Sequence, residues 1–141
     1  MRRLTSAPFA SEPDRGTLVV DPAPAYVTHR VLRAFRKGPR FPTVGRQLVR
    51  LFAAAGLRDV RVEPSSVLFL QAMEASMLLM LPEAVQRAVA DGLPARDGAR
   101  WLAELQRRGD EGTFFAAATG FLVIGTSYGC TSAVSLSIDF R

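Results

Sequence analysis

Within residues 43–64 the chain passes from a helix through a glycine stop into a strand, and this order demands a sheet for the strand to join. Leu48, Leu51, Phe52 and Ala55 recur at i, i+3, i+4 and i+7, which places one apolar stripe on a helix over 44–55. Gly56 stands where a residue in the left-handed region ends such a helix. Val60 and Val62 then alternate with Asp59, Arg61 and Glu63, the period of a half-buried strand. Pro64 cannot donate to a ladder, so it marks a bulge or a sheet edge, with the strand resuming through Val67-Leu68-Phe69-Leu70.

The same reasoning divides the rest of the chain. Thr17-Leu18-Val19-Val20 is strand-like and is stopped by Asp21-Pro22-Ala23-Pro24. Tyr26 to Lys37 forms a helix with Val27, Val31, Leu32 and Phe35 inward and His29, Arg30, Arg33 and Arg36 outward; residues 38–42 close it as a loop. Gln71 to Leu81 is a helix that is apolar on most sides. Pro82 opens another to Ala90, and Pro94 a third through Trp101, Leu102 and Leu105, with glycine stops at Gly92 and Gly109. Phe121-Leu122-Val123-Ile124 reads as a strand buried on both faces, whereas the alanines before it suit a helix by composition. In the tail, Val134, Leu136, Ile138 and Phe140 alternate with polar residues in a strict two-residue period.

Size and charge narrow the functional classes. A chain of 141 residues supports one domain, and at 48% hydrophobic it is globular. No apolar run nears the roughly 20 residues that span a bilayer. Met1-Arg2-Arg3 opens like a leader, but Pro8, Glu12, Pro13 and Asp14 interrupt it. Cys130 is the only cysteine, which allows no internal disulfide and fits a reducing, cytoplasmic setting. The net charge of +5 is uneven: residues 1–62 hold twelve Arg or Lys against four Asp or Glu, and residues 63–141 hold six against nine. Lys37 is the single lysine; a compositional bias toward arginine and alanine gives the same picture as selection for phosphate or carboxylate grip.

Read in order, several segments carry a resemblance. They are Glu12-Pro13-Asp14-Arg15-Gly16-Thr17-Leu18-Val19-Val20-Asp21, Arg33-Ala34-Phe35, Gly45-Arg46-Gln47-Leu48, Leu51-Phe52-Ala53-Ala54-Ala55-Gly56-Leu57 and Val60-Arg61-Val62-Glu63-Pro64. Ala99-Arg100-Trp101-Leu102-Ala103-Glu104-Leu105 and Phe114-Phe115-Ala116-Ala117-Ala118-Thr119-Gly120-Phe121-Leu122-Val123 continue the series. Together they resemble the C-terminal half of class I S-adenosylmethionine-dependent methyltransferases. The resemblance implies an α/β fold: an incomplete Rossmann-like sheet of late strands whose last two are an antiparallel pair, with an inserted helical cap at 71–108. It divides the chain into an arm at 1–11, the methyltransferase-like part at 12–126 and a tail at 127–141 outside the family pattern. A small-molecule substrate is implied, with Asp14, Arg46 and Met77 as candidate pocket residues.

The departures matter as much. The family holds its cofactor on an acidic-x-Gly-x-Gly-x-Gly turn and an acidic residue after the second strand. The eleven glycines of this chain, at 16, 38, 45, 56, 92, 98, 109, 112, 120, 125 and 129, include no Gly-x-Gly pair. Arg15 replaces the family's aromatic, and residues 1–10 do not read as the fifth strand. S-adenosylmethionine is therefore implied by family but is not expected to bind this chain alone, which reads as a truncated, inactive relative. One alternative is half of a split enzyme, completed by a complementary half. Another is a small basic module that binds nucleic acid or protein, although aromatics for base stacking are sparse among the basic residues. A half-sheet also predicts self-association through its uncovered edge.

The other candidates have plain readings beside the functional ones. Arg46 follows Gly45 at a helix start, where backbone amides favour an anion, yet a solvated arginine leaves the same signature. Asp14 after Pro13 also suits a turn. His29 lies on a polar helix face without a carboxylate neighbour in sequence, and no basic neighbour activates Cys130. Met73, Met77 and Met80 suit either an adaptable pocket wall or core packing. Trp101 anchors its own helix.

Overall fold

The computed structural model describes residues 7–21, 24–38 and 43–127. All but Gly38 of the loop expected at 38–42, most of the expected arm, Cys130 and the alternating tail at 134–140 lie outside the described residues. The chain is α/β, with a three-stranded antiparallel sheet and five helices among the described residues. Three strands, β1 (Phe9–Val20), β2 (Arg58–Phe69) and β3 (Ala116–Thr126), lie in the order β1-β3-β2. The last of the described strands in sequence is therefore the central one. Helix α1 (Ala25–Lys37) follows β1, and a 3-10 turn (Val44–Gln47) leads into the short α2 (Leu48–Ala54). Helices α3 (Ala72–Leu78), α4 (Leu81–Ala90) and α5 (Ala95–Asp110) all fall between β2 and β3, where the cap was expected. None of these helices is long and apolar enough to cross a membrane.

Two compact units share the strands. The larger takes Arg15–Pro42 and Val67–Ala118, and its core joins Leu18 and Val20 of β1 to Val31 and Phe35 of α1, Leu81 and Val85 of α4, and Trp101 and Leu105 of α5. Each set recurs at the spacing that points it one way: alternate residues on the strand, and i, i+4 on the helices. Trp101 is 1% exposed, and its indole N–H donates to Thr28 Oγ1 at 2.7 Å, which satisfies its one polar atom. Gly98 lets α4 and α5 approach, since a Cβ there would lie 2.7 Å from Val85 Cγ1. At the sheet, Asp21 N–H donates to the Phe115 carbonyl at 2.9 Å.

The smaller unit takes Met1–Asp14, Thr43–Ser66 and Thr119–Arg141. Its core is a modest cluster of Ala10, Leu48, Phe52 and Val123, with Val44, Leu57, Val60 and Phe121 packed against it. Gly125 N–H donates to the Pro8 carbonyl at 3.0 Å, and Ser66 and Thr119 meet side chain to side chain at 3.0 Å.

The structure departs from the sequence expectations at four places. β1 begins at Phe9, inside the stretch read as an arm, because Ala10 faces inward and Pro8 accepts from β3. Residues 116–120 are strand, not helix: their alanines and glycine permit close approach of the β1 backbone, as at Gly120, where a Cβ would lie 3.3 Å from Glu12 O. Of the expected continuously buried strand at 121–124, only Val123 is fully buried. Of the stripe on α2, Leu48 and Phe52 are buried while Leu51 and Ala55 face water, because a seven-residue helix meets only a small cluster. Pro64 does sit in an edge strand, as its missing donor requires.

Acid sensitivity follows from α5. Arg107 and Arg108 both donate to Glu104, at 2.7 Å and 2.9 Å, and hold its carboxyl down to about 2 from the usual 4.5. A carboxyl depressed in the folded state stabilises above its unfolded value and loses that contribution as pH falls through the folded one. We expect the urea midpoint, followed by circular dichroism, to fall between pH 4.5 and about 2. Glu104→Gln should lower the midpoint at neutral pH and flatten that part of the profile.

Candidate functional site

The smaller unit places the two nominated polar residues against each other. β1 alternates, so Ala10, Glu12 and Asp14 all face inward, and both carboxylates are buried, at 3% and 1% exposure. Buried carboxylates require charged or hydrogen-bonded partners. For Asp14 the partner is Arg46, which donates through Nε to Oδ2 and through Nη2 to Oδ1, the latter at 2.9 Å. This two-pronged grip uses the planar geometry that lysine lacks. Hydrogen bonding to Asp14, reinforced by its charge, holds the Arg46 guanidinium still more firmly protonated than usual.

Local backbone explains why Arg46 arrives there. Gly45 is buried in the 3-10 turn, and a Cβ at that position would lie 2.9 Å from Glu12 O and 3.2 Å from a Phe121 ring carbon. Glycine thus lets the turn touch the β1 backbone, and the next residue's side chain reaches Asp14 two residues along the strand. The anion that meets Arg46 is one the protein itself carries. Arg46 keeps a side chain about half exposed (54%), while Asp14 is enclosed, so the guanidinium is the part that a ligand in water can touch.

The third nominated residue, Met77, lies on α3 in the larger unit and is 71% exposed. Met73 and Met80 are exposed beside it in sequence, at 61% and 47%, together with Leu68, Leu70 and Leu78, so the methionines are surface rather than core. Met80 also adopts a left-handed backbone, φ +51°, at the start of α4. His29 is exposed on α1. Glu12 is the buried acidic residue that sequence reasoning missed as a candidate; the signal for it was its i−2 spacing from Asp14 on a strand.

A nucleotide cradle needs glycines whose backbone opens toward a ligand. The described glycines with positive φ are Gly56, Gly92 and Gly112, each following a helix, and nothing lies within 4 Å of a Cβ at Gly56 or Gly112. Gly45 and Gly120 make close approaches, but to the protein's own β1 backbone. None of these described glycines shows the closely spaced, ligand-facing arrangement of the family's turn. Among the described residues no cluster of three or more His, Cys, Asp or Glu side chains could hold a metal ion.

No family model matches the chain. It is similar to an uncharacterized 37.1 kDa protein in transposon TN4556 from Streptomyces fradiae, with 36% identity over 119 residues. That alignment takes in 80% of this chain and 32% of the relative, so the chain spans about a third of the length of the protein it matches.

Proposed function

We propose that this chain is the C-terminal part of a methyltransferase-like domain and that, alone, it neither holds S-adenosylmethionine nor transfers a methyl group. The observation that carries the reading is the sheet. Among the described strands the last, β3, lies between the other two and runs antiparallel to them, so β2 and β3 form an antiparallel pair with β2 at the edge. That is the arrangement expected of strands six and seven in the resembled enzymes. On this reading β1, on the far side of β3, stands in for the fifth strand. Three helices separate β2 from β3, as a substrate cap would require.

The sequence holds no Gly-x-Gly pair from which the family's cofactor turn is built, and this supports inactivity of the chain alone. Methyl transfer depends on holding the sulfonium in line with its acceptor, and that geometry cannot be supplied without cofactor contacts. In the assembled domain, the half-exposed face of Arg46, oriented by Asp14, is the group we assign to a substrate anion.

Calorimetry tests both parts. The chain alone should give no saturable heat with S-adenosylmethionine; saturation in the micromolar range would overturn the inactive reading. Mixed with a methyltransferase segment that supplies the first four strands and the glycine turn, it should restore saturable binding. Failure of every such segment to associate with this chain would sink the strand assignment.

A further inference from the structure

The exposed face of α1 is strongly cationic. Tyr26, Arg30, Arg33 and Lys37 recur at i, i+4, i+7 and i+11, one stripe roughly 16 Å long on the helix. The helix contains no acidic residue to offset them. Beside the stripe lies a cleft of about 310 Å³ lined by Arg30, Arg33, Lys37 and Asp91. Three cations therefore face one carboxylate.

Two of the cations have tasks within the protein. Arg30 donates at 2.7 Å to the carbonyl of Asp91, which ends α4, and its guanidinium stacks on the Tyr26 ring 5.9 Å away. Gly92, at φ +96°, turns the chain there, and a Cβ on it would come within 3.6 Å of Arg30 Nη2. Lys37 pairs with the Asp91 carboxylate at 2.8 Å, and hydrogen bonding to Lys37 holds that carboxyl below its usual range. Both partners are about half exposed, and such pairs exchange readily with competing ions. The Arg33 side chain makes no hydrogen bond among the described residues, and it lines the same cleft.

The sign of the cleft follows from these terms. The C-terminal ends of α1 and α4 each contribute roughly half a negative charge, which offsets only part of the cationic surplus. A monoanion gains little in such a place, whereas a phosphate gains from both its charge and its match to a planar guanidinium. We propose that this cleft binds the phosphate group of a small phosphorylated ligand, gripped by Arg33 and by Lys37 as it leaves Asp91. The volume sits at the low end of the range for small-molecule sites, about 300–1,000 Å³, which suits a phosphate with a modest substituent. This inference is independent of the methyltransferase reading.

The test is a titration of the 141-residue chain with inorganic pyrophosphate, followed by backbone amide shifts along α1. Saturation should be reached, Arg33→Glu should weaken it by about tenfold or more, and Asp91→Asn should tighten it several-fold as a competitor is removed. Circular dichroism should show Arg33→Glu folded, since its side chain is exposed and makes no hydrogen bond. Absence of saturation at tens of millimolar, or an unchanged affinity in folded Arg33→Glu, would overturn the proposal. So would binding to duplex DNA that collapses with salt while pyrophosphate leaves the shifts untouched, because that marks a polyanion surface in place of a phosphate site.

Discussion

Trp101→Ala should cost about 3–5 kcal/mol of unfolding free energy, the largest effect of any single substitution considered for this protein. The indole is 1% exposed at the centre of the larger cluster, where Leu81, Leu93 and Leu105 are also fully buried. Its removal leaves a cavity that close-packed neighbours fill only in part. Thr28 loses the 2.7 Å hydrogen bond from the indole and keeps only a 3.5 Å contact with the Pro24 carbonyl. Against a total stability of about 5–15 kcal/mol for a domain of this size, the loss is about a fifth at the least and all of it at the most, so a shallow or absent urea transition is expected. Trp101→Phe keeps most of the apolar area and removes the donor, so it should cost distinctly less. Equal losses in the two variants would show that the hydrogen bond, not the packing, dominates.

Gly45→Ala should cost about 1–3 kcal/mol, because the atoms that the new methyl meets are mostly backbone and cannot swing aside. Its nearest neighbours would be Glu12 O at 2.9 Å, a Phe121 ring carbon at 3.2 Å and Pro13 O at 3.3 Å. The 3-10 turn must lift from β1, and Arg46 moves with it away from Asp14. Coupling is therefore expected: with Arg46 already replaced by methionine, Gly45→Ala should cost less than in the parent chain. Gly56→Ala is the control. Gly56 has φ +79° and open space around it, so its penalty, roughly 1–2 kcal/mol, comes from the left-handed backbone alone and should add independently. Strict additivity between Gly45→Ala and the Arg46 change would show that the turn does not position the arginine.

How much of this was readable in advance differs element by element. α1 was legible because its apolar residues repeat at helical spacing over thirteen residues and a single face is buried. The starts of α4 and α5 were legible from Pro82 and Pro94, which suit the first turn of a helix and little else there. The early part of β1 was not. Residues up to 11 read as an arm and Asp14 after Pro13 suits a turn; the segment becomes strand only through pairing with β3 about a hundred residues later and through neutralisation of Asp14 by Arg46. Composition also misled at 116–120, where alanine's helical preference yields to the room that a sheet offers small side chains. Asp14 and Arg46 could be named separately as candidates. Their contact could not, since nothing local links positions 32 residues apart.

The single tryptophan has a practical consequence. It lies in the larger cluster, while the smaller one, built on Ala10, Leu48, Phe52 and Val123, contains none. Indole emission is therefore a local gauge that reads one half of the molecule and is blind to the other. Ellipticity averages over both, so any lag between the two signals on a melting ramp measures how separately the dark half comes apart.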